Sequence, residues 1–311
     1  PIRHMFPPLV TGVVVLMIGF SLLKVGFKYA GGGVWLMNNK PEIFGNWEHL
    51  LIAGTVLIVA LLCNLRGKGM VSAASILIGI IAGFVMATLL GEVRFEKIAA
   101  AGWFAFPMPF QYGIDFVWGA VILMLFMSVV TTIETIGDIS ATTMGGANRE
   151  ATDKELSGGI MADGVGTAFA SIFNAMPNTS YSQNAGLVAF TGVISRHVGT
   201  VAGVILILLG LFPKLGGIIA AMPDSVIGGA AIIMFGLIAG AGIKLISKTE
   251  MSQRNILILA LSLSFGIGLY SFPEFVAHIP DFGIKLKLLL TTGLIPAGLI
   301  AFTLNATLPK K

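Results

Sequence analysis

Charge is scarce in this 311-residue chain: Asp, Glu, Lys and Arg together make up 11% of it. A soluble globular domain carries about 25% to cover its surface. With 56% hydrophobic residues and a mean hydropathy of +0.92, a surface that meets only water is excluded, and the chain must face lipid. Cysteine is nearly absent, and the lone Cys63 excludes an internal disulfide framework and a multi-cysteine metal centre. Within its apolar run Cys63 reads as a packed thiol. Histidine occurs only at positions 4, 49, 197 and 278, each near an expected helix end. No nucleophile–base set or metal cluster of an enzyme is therefore in view. The 19 Lys and Arg give a formal charge of +4 and a pI near 9.2, but they lie singly or in pairs between apolar runs. They form no basic stripe of the nucleic-acid-binding kind and read as topology markers at helix ends.

What the chain has in abundance is apolar runs of the roughly 17–25 residues that cross a bilayer core. They fall near 8–28, 48–65, 70–91, 114–137, 157–176, 197–212, 225–246, 254–272 and 286–305, with a half-length run at 183–194. The spacing predicts nine full spans and one half-length helix. The first run has no small-residue cleavage site, so it is a spanning helix rather than a signal peptide. The stretch 95–113, with Trp103, Pro107, Pro109 and Tyr112, is expected at the headgroup level, because aromatics prefer it and proline discourages a continuous helix. With Arg3 inside, the basic residues divide with a modest inward bias. The turn holding Arg66 and Lys68 gives the clearest signal.

A weak internal repeat is visible. Pro7, Val10 and Gly12 at the start of the first span align with Pro223, Val226 and Gly228 at the start of the eighth. With the expected topology the two copies begin on opposite sides, the arrangement common in secondary transporters. Repeats of seven helices would then leave four helices ahead of residue 1. A start at Pro1, without Met and inside a charged stretch, accords with that expectation of a partial sequence.

Three polar features interrupt the apolar pattern. Glu134 and Asp138, at the end of the fourth run, are four residues apart and share a helix face. A carboxylate within a span costs at least ~2.5–3.5 kcal/mol on insertion scales, so it usually faces the protein interior or a wet cavity. The plain alternative is a helix end at the cytoplasmic interface with both acids solvated. Asp163 follows the small-residue entry of the fifth run, where it could pair, neutralise or relay a proton. It could equally be an acid at a helix N-terminus, favoured by the dipole. The third feature is the stretch from Asn174 to Gly186, in which Pro177 ends a helix and Asn178, Thr179, Ser180, Tyr181, Ser182, Gln183 and Asn184 follow. Irregular backbone is tolerated at membrane depth only where it lines a cavity or is buried in protein, and the free N–H groups of the half-length helix would then point at substrate. Gln183 can donate and accept, which suits the amide edge of a heterocycle. An extracellular loop is the other reading.

At these residues the chain resembles the nucleobase–ascorbate transporter family. The family signature is Gln/Glu/Pro-Asn-x-Gly, four variable residues, then Thr and Arg, Lys or Gly. It stands complete from Gln183-Asn184-Ala185-Gly186 to Thr191-Gly192. The Glu134–Asp138 pair and Ala162-Asp163-Gly164 also occur in the family's order and spacing. The resemblance implies an all-α polytopic membrane protein of two inverted seven-helix repeats, of which this chain would hold about ten helices, the fifth to fourteenth. It implies gate-domain helices and the interfacial segment at 1–113, core-domain helices with half of the substrate site at 114–212, and gate-domain helices at 213–311.

By the same resemblance, Glu134 would bind ring N–H groups of the base and Gln183 its carbonyl and N–H edge. Ser182 and Tyr181 would add contacts and Asn184 would shape the short helix, while Asp163 and Asp138 would support proton coupling and packing. Gln183 in place of Glu points to xanthine or uric acid rather than uracil. The expected function is symport of a purine nucleobase with H⁺, without a cofactor. The expected partners are the base, the lipid bilayer and a second copy of the chain through the gate domain, with no nucleic acid. Carriage of uracil or another nucleobase, and an anion transporter of the same fold, are the alternatives; an anion site calls for cationic residues and no acid facing the substrate, so Glu134 counts against it.

Overall fold

The computed structural model describes residues 7–93, 95–181, 184, 188, 193–247, 249–278 and 286–309. Every long element among them is an α-helix, as an all-α polytopic membrane protein requires. In order they are α1 (Pro8–Ala30), α2 (Val34–Asn39), α3 (Trp47–Arg66), α4 (Met70–Ala73), α5 (Ser75–Leu89), α6 (Glu96–Ala100), α7 (Trp118–Ala147), α8 (Asp153–Ile172), α9 (Arg196–Gly210), α10 (Pro213–Ala221), α11 (Asp224–Ser247), α12 (Gln253–Ser271), α13 (Leu286–Thr291) and α14 (Leu294–Thr307). Five of them, α1, α3, α7, α11 and α12, are long and apolar enough to cross a membrane. The pair α9–α10 makes a sixth if counted as one span, although it bends by 81°. Pro213 at the first position of α10 explains the bend, since proline starts a helix well but cannot continue one.

The boundaries differ from the hydropathy pattern in four places. The run 70–91 is split between α4 and α5 at Ala74, and the run 286–305 is split before α14 by Gly293 at φ 70°. The fourth span begins at Trp118 and runs on to Ala147, where Asn148 takes a left-handed conformation of the kind that ends helices. The fifth begins early, at Asp153, because Thr152 accepts from the Glu155 amide while the Glu155 carboxylate accepts from the Thr152 amide. This reciprocal cap satisfies two orphan donors.

The packed centre is an antiparallel pair, α1 against α11. Gly12 lies against Ile246, Gly19 against Ala239 and Gly26 against Ile232. Small residues let the backbones approach closely where lipid offers no hydrophobic drive. A Cβ on Gly19 would stand 2.5 Å from the Ala239 nitrogen, so only glycine fits there. The contacts come in matched sets. Gly12 meets Ile246 as Gly228 meets Ala30, and Gly26 meets Ile232 as Gly242 meets Leu16. The offset that aligns Pro7 with Pro223 exchanges the partners in each set, so the helix pair is arranged about a local two-fold.

Two apolar clusters grow from this pair. One joins Val10, Val13 and Met17 of α1 to Ile258 of α12 and Ala297 and Ala301 of α14. The other joins Ile52 and Val56 of α3 and Ala87 of α5 to Val226 and Ala230 of α11. By contrast α7, α8 and α9 present mostly exposed apolar side chains, among them Leu125, Phe169 and Leu206.

Candidate functional site

The polar side chains of α7, α8 and the segment 174–181 meet one another. α7 places Glu134, Thr135 and Asp138 within about one turn of helix. Thr135 is 2% exposed and donates from its hydroxyl to Oδ2 of Asp163 on α8 at 2.6 Å. Ser180 donates to Oδ2 of Asp138 at 2.7 Å, and its oxygen also stands 3.3 Å from the Thr135 hydroxyl. Two carboxylates on two helices are thus joined through two hydroxyls, one of them from the break in the chain. Since each hydroxyl has a single proton, the short bonds fix the direction of the chain: Thr135 to Asp163, and Ser180 to Asp138.

A second set of bonds holds the break against α8. Thr167 donates to the side-chain oxygen of Asn178 at 2.9 Å, and the Asn178 amide donates back to the Thr167 hydroxyl at 3.2 Å. Gly166 leaves room for the Asn178 side chain. On the other flank Val188 and Ile194 fill the space beside Gly146 of α7. The stretch that the sequence offered as either a cavity lining or an extracellular loop is therefore bonded to both α7 and α8.

Asp138 and Asp163 both lie in helix interiors. α7 continues to Ala147 and α8 begins at Asp153, so Asp138 does not mark the end of its helix and Asp163 does not stand at a helix N-terminus. Glu134 is half-buried, and its carboxyl lies within electrostatic reach of Asp138 and Asp163. Tyr181 is 54% exposed and points its hydroxyl at Sδ of Met234 on α11, 3.9 Å away. Asn184 is helical, and its amide donates to the Tyr181 carbonyl at 3.0 Å. Ser182 and Gln183 lie outside the described residues, as does most of the half-length run. Thr135, Thr167 and Met234 were not singled out from sequence, and Asn178 and Ser180 were named only as members of the polar stretch. The hydroxyls carried a weak signal, being polar residues one helical turn from an acid or within the break.

Chemically, three acids gathered beside the break, when ionised, attract N–H donors and repel anions. A sulfate- or bicarbonate-type substrate would meet carboxylates here.

A family model described as "Permease family" matches residues 1–275. Xanthine permease XanP of Escherichia coli K12 is 36% identical over 311 residues, covering 99% of this chain and 66% of XanP. Uric acid permease PucJ of Bacillus subtilis 168 is 36% identical over 304 residues, covering 97% of this chain and 67% of PucJ. A Clostridium perfringens protein provisionally named a purine permease is 39% identical over 308 residues, 99% of this chain and 66% of its own length. The chain thus spans about two thirds of the length of these relatives.

Proposed function

The chain belongs to the Permease family, and from that premise we propose that the full-length protein is a secondary carrier that takes up a purine nucleobase, xanthine or uric acid, together with H⁺. Family and helices together make it a multi-pass protein of the plasma membrane. Two relatives are named for xanthine and uric acid, which supports a substrate of that class.

The observation that carries the reading is the acid–hydroxyl chain from Asp163 through Thr135 and Ser180 to Asp138. It ties the broken segment to two helices and leaves Glu134, one residue from Thr135, to serve a ligand. Glu134 would accept ring N–H groups, and Gln183 at the head of the half-length helix would match the amide edge of the base. Tyr181, Ser182 and Asn184 complete the pocket in this reading. Asp163 and Asp138 keep the helices in register, and Glu134 or Asp163 carries the coupled proton. Residues 114–212 act as the moving core, and 1–113 and 213–311 as the gate that pairs with a second copy. The matched contacts of α1 and α11 support two inverted repeats.

The test is uptake of radiolabelled xanthine by cells expressing the full-length protein. Glu134→Ala should abolish it, and Gln183→Glu should weaken purine uptake or shift competition toward uracil. A protonophore should collapse the gradient-driven part, while sodium replacement leaves it unchanged. Xanthine uptake that survives both substitutions refutes these roles, and uptake that needs sodium refutes the coupling ion.

A further inference from the structure

Away from the acid–hydroxyl chain, one basic residue stands beside an unfilled apolar trough. Helices α6 and α10 pack side by side. Lys214, in the first turn of α10, donates from Nζ to the carbonyls of Ile98 and Ala99 at 2.8 and 3.2 Å. These oxygens belong to the end of α6, where helix carbonyls lack intrahelical partners. An ammonium has three donors, so one remains for a ligand. The same Nζ lies 5.5 Å from the centre of the Trp103 ring. Next to it opens a groove of about 500 Å³ lined by Ile98, Trp103, Phe212, Lys214, Leu215 and Ile218. Phe104 packs edge-on against Phe212 with ring centres 6.3 Å apart and flanks the groove.

The segment beside the groove has the composition of a membrane interface. The 81° bend turns α10 away from the direction of α9, and Trp103, Phe104 and Phe106 are all exposed in the segment that follows α6, the composition of a headgroup-level belt. We propose that the groove between α6 and α10 binds an anionic phospholipid, with an acyl chain along Ile98, Phe212, Leu215 and Ile218 and the headgroup phosphate on the free donor of Lys214. A cation at one end of an apolar trough matches an amphiphile at both of its ends. A soluble anion would find one donor and a wall of hydrocarbon. The bound lipid would also brace the segment that follows α6. That segment is tied to the end of α9 by the Ala105 amide on the Leu211 carbonyl at 3.1 Å, and to α8 by the Phe110 amide on the Ile172 carbonyl at 2.8 Å. The proposal does not depend on the substrate.

The experiment reconstitutes the full-length protein in phosphatidylcholine vesicles containing a fixed minor fraction of brominated lipid, which quenches tryptophan on contact. Subtracting the signal of Trp103→Phe isolates Trp103 from the other tryptophans. Brominated phosphatidylglycerol should occupy the site roughly five-fold more readily than brominated phosphatidylcholine, the factor that about 1 kcal/mol per basic residue at a membrane surface gives. Lys214→Gln should lose the preference and Lys214→Arg should keep it. Equal quenching by the two lipids, or quenching by neither, overturns the proposal in the wild-type protein alone, whatever the variants do to folding. A preference that survives Lys214→Gln also overturns it. So does one that inorganic phosphate abolishes at matched ionic strength, which would mark a simple anion site.

Discussion

The hydroxyl of Thr135 donates to Oδ2 of Asp163 at 2.6 Å from a position that is 2% exposed. With its only proton committed there, Thr135 can serve Ser180 only as an acceptor, and Ser180 keeps its short bond for Asp138. One hydroxyl thereby links α7, α8 and the break in the chain.

Replacing Thr135 with Val keeps the shape and removes the donor. A hydrogen bond to a charged group contributes about 1.5–3 kcal/mol, and less where the acceptor is half-buried as Asp163 is, so Thr135→Val should lower the melting temperature of the detergent-purified full-length protein and reduce uptake. Thr135→Ser should restore both. Equal behaviour of the Val and Ser variants would show that the bond does not matter.

Ser180 and Asp138 should behave as one unit. Ser180→Ala and Asp138→Ala each remove the same 2.7 Å bond, so the double variant should be destabilised by less than the two single losses combined, with a coupling of roughly 0.5–3 kcal/mol, as for residues in one network. Strict additivity in thermal unfolding would place the two side chains out of contact.

The start of α8 should respond to acid. Arg149 pairs with Glu155 through two bonds, the shorter 2.6 Å. The Arg149 hydrogen bond, helped by the Thr152 amide and hydroxyl, holds the Glu155 carboxyl well below its ordinary value near 4.5. A depressed folded pKa adds stability above the unfolded pKa and loses it as pH falls toward the folded one. The melting-temperature gap between wild type and Glu155→Gln should therefore be present at neutral pH and shrink below about pH 4.5. Both side chains are exposed, so the gap will be small; a gap that grows in acid would contradict the assignment.

The tight α1–α11 seam predicts a contrast between glycines. Gly19→Ala would put a Cβ 2.5 Å from the Ala239 nitrogen, whereas Gly54→Ala in α3 meets nothing within 4 Å. Overpacking typically costs about 1–3 kcal/mol, so the first should lower the melting temperature and the second leave it nearly unchanged. Equal effects would mean that the helices sit farther apart.

Much of the fold was legible because lipid imposes a simple rule: apolar runs such as 8–28 and 225–246 reappear as α1 and α11 almost residue for residue. The misses have physical causes. Hydropathy reports where lipid ends rather than where a helix ends, so α7 continues through the small polar residues Ser140 to Thr143 until Asn148 stops it. The Thr152-x-x-Glu155 cap is written in the sequence but lies outside any apolar run. At the site the acids were conspicuous, whereas their partners were not. Thr135 meets Asp163 from another helix, and Ser180 meets Asp138 from beyond both, pairings that no local period encodes.

Tyr181 and Met234 offer a final measurement. Tyr181 belongs to the break that α7 and α8 hold, and Met234 belongs to α11 of the central pair, yet the tyrosine hydroxyl lies 3.9 Å from the sulfur. If the core moves against the gate during transport, this contact must open and close. With Cys63 and any cysteine outside these 311 residues replaced by Ala, Tyr181→Cys and Met234→Cys together should react with a short bifunctional thiol reagent, and the cross-link should arrest xanthine uptake. Substrate should change the rate of cross-linking by shifting the population of the closed contact, as a ligand with unequal affinity for two states must. A cross-link that forms at the same rate with and without xanthine and leaves uptake intact would make Tyr181 and Met234 parts of one rigid body.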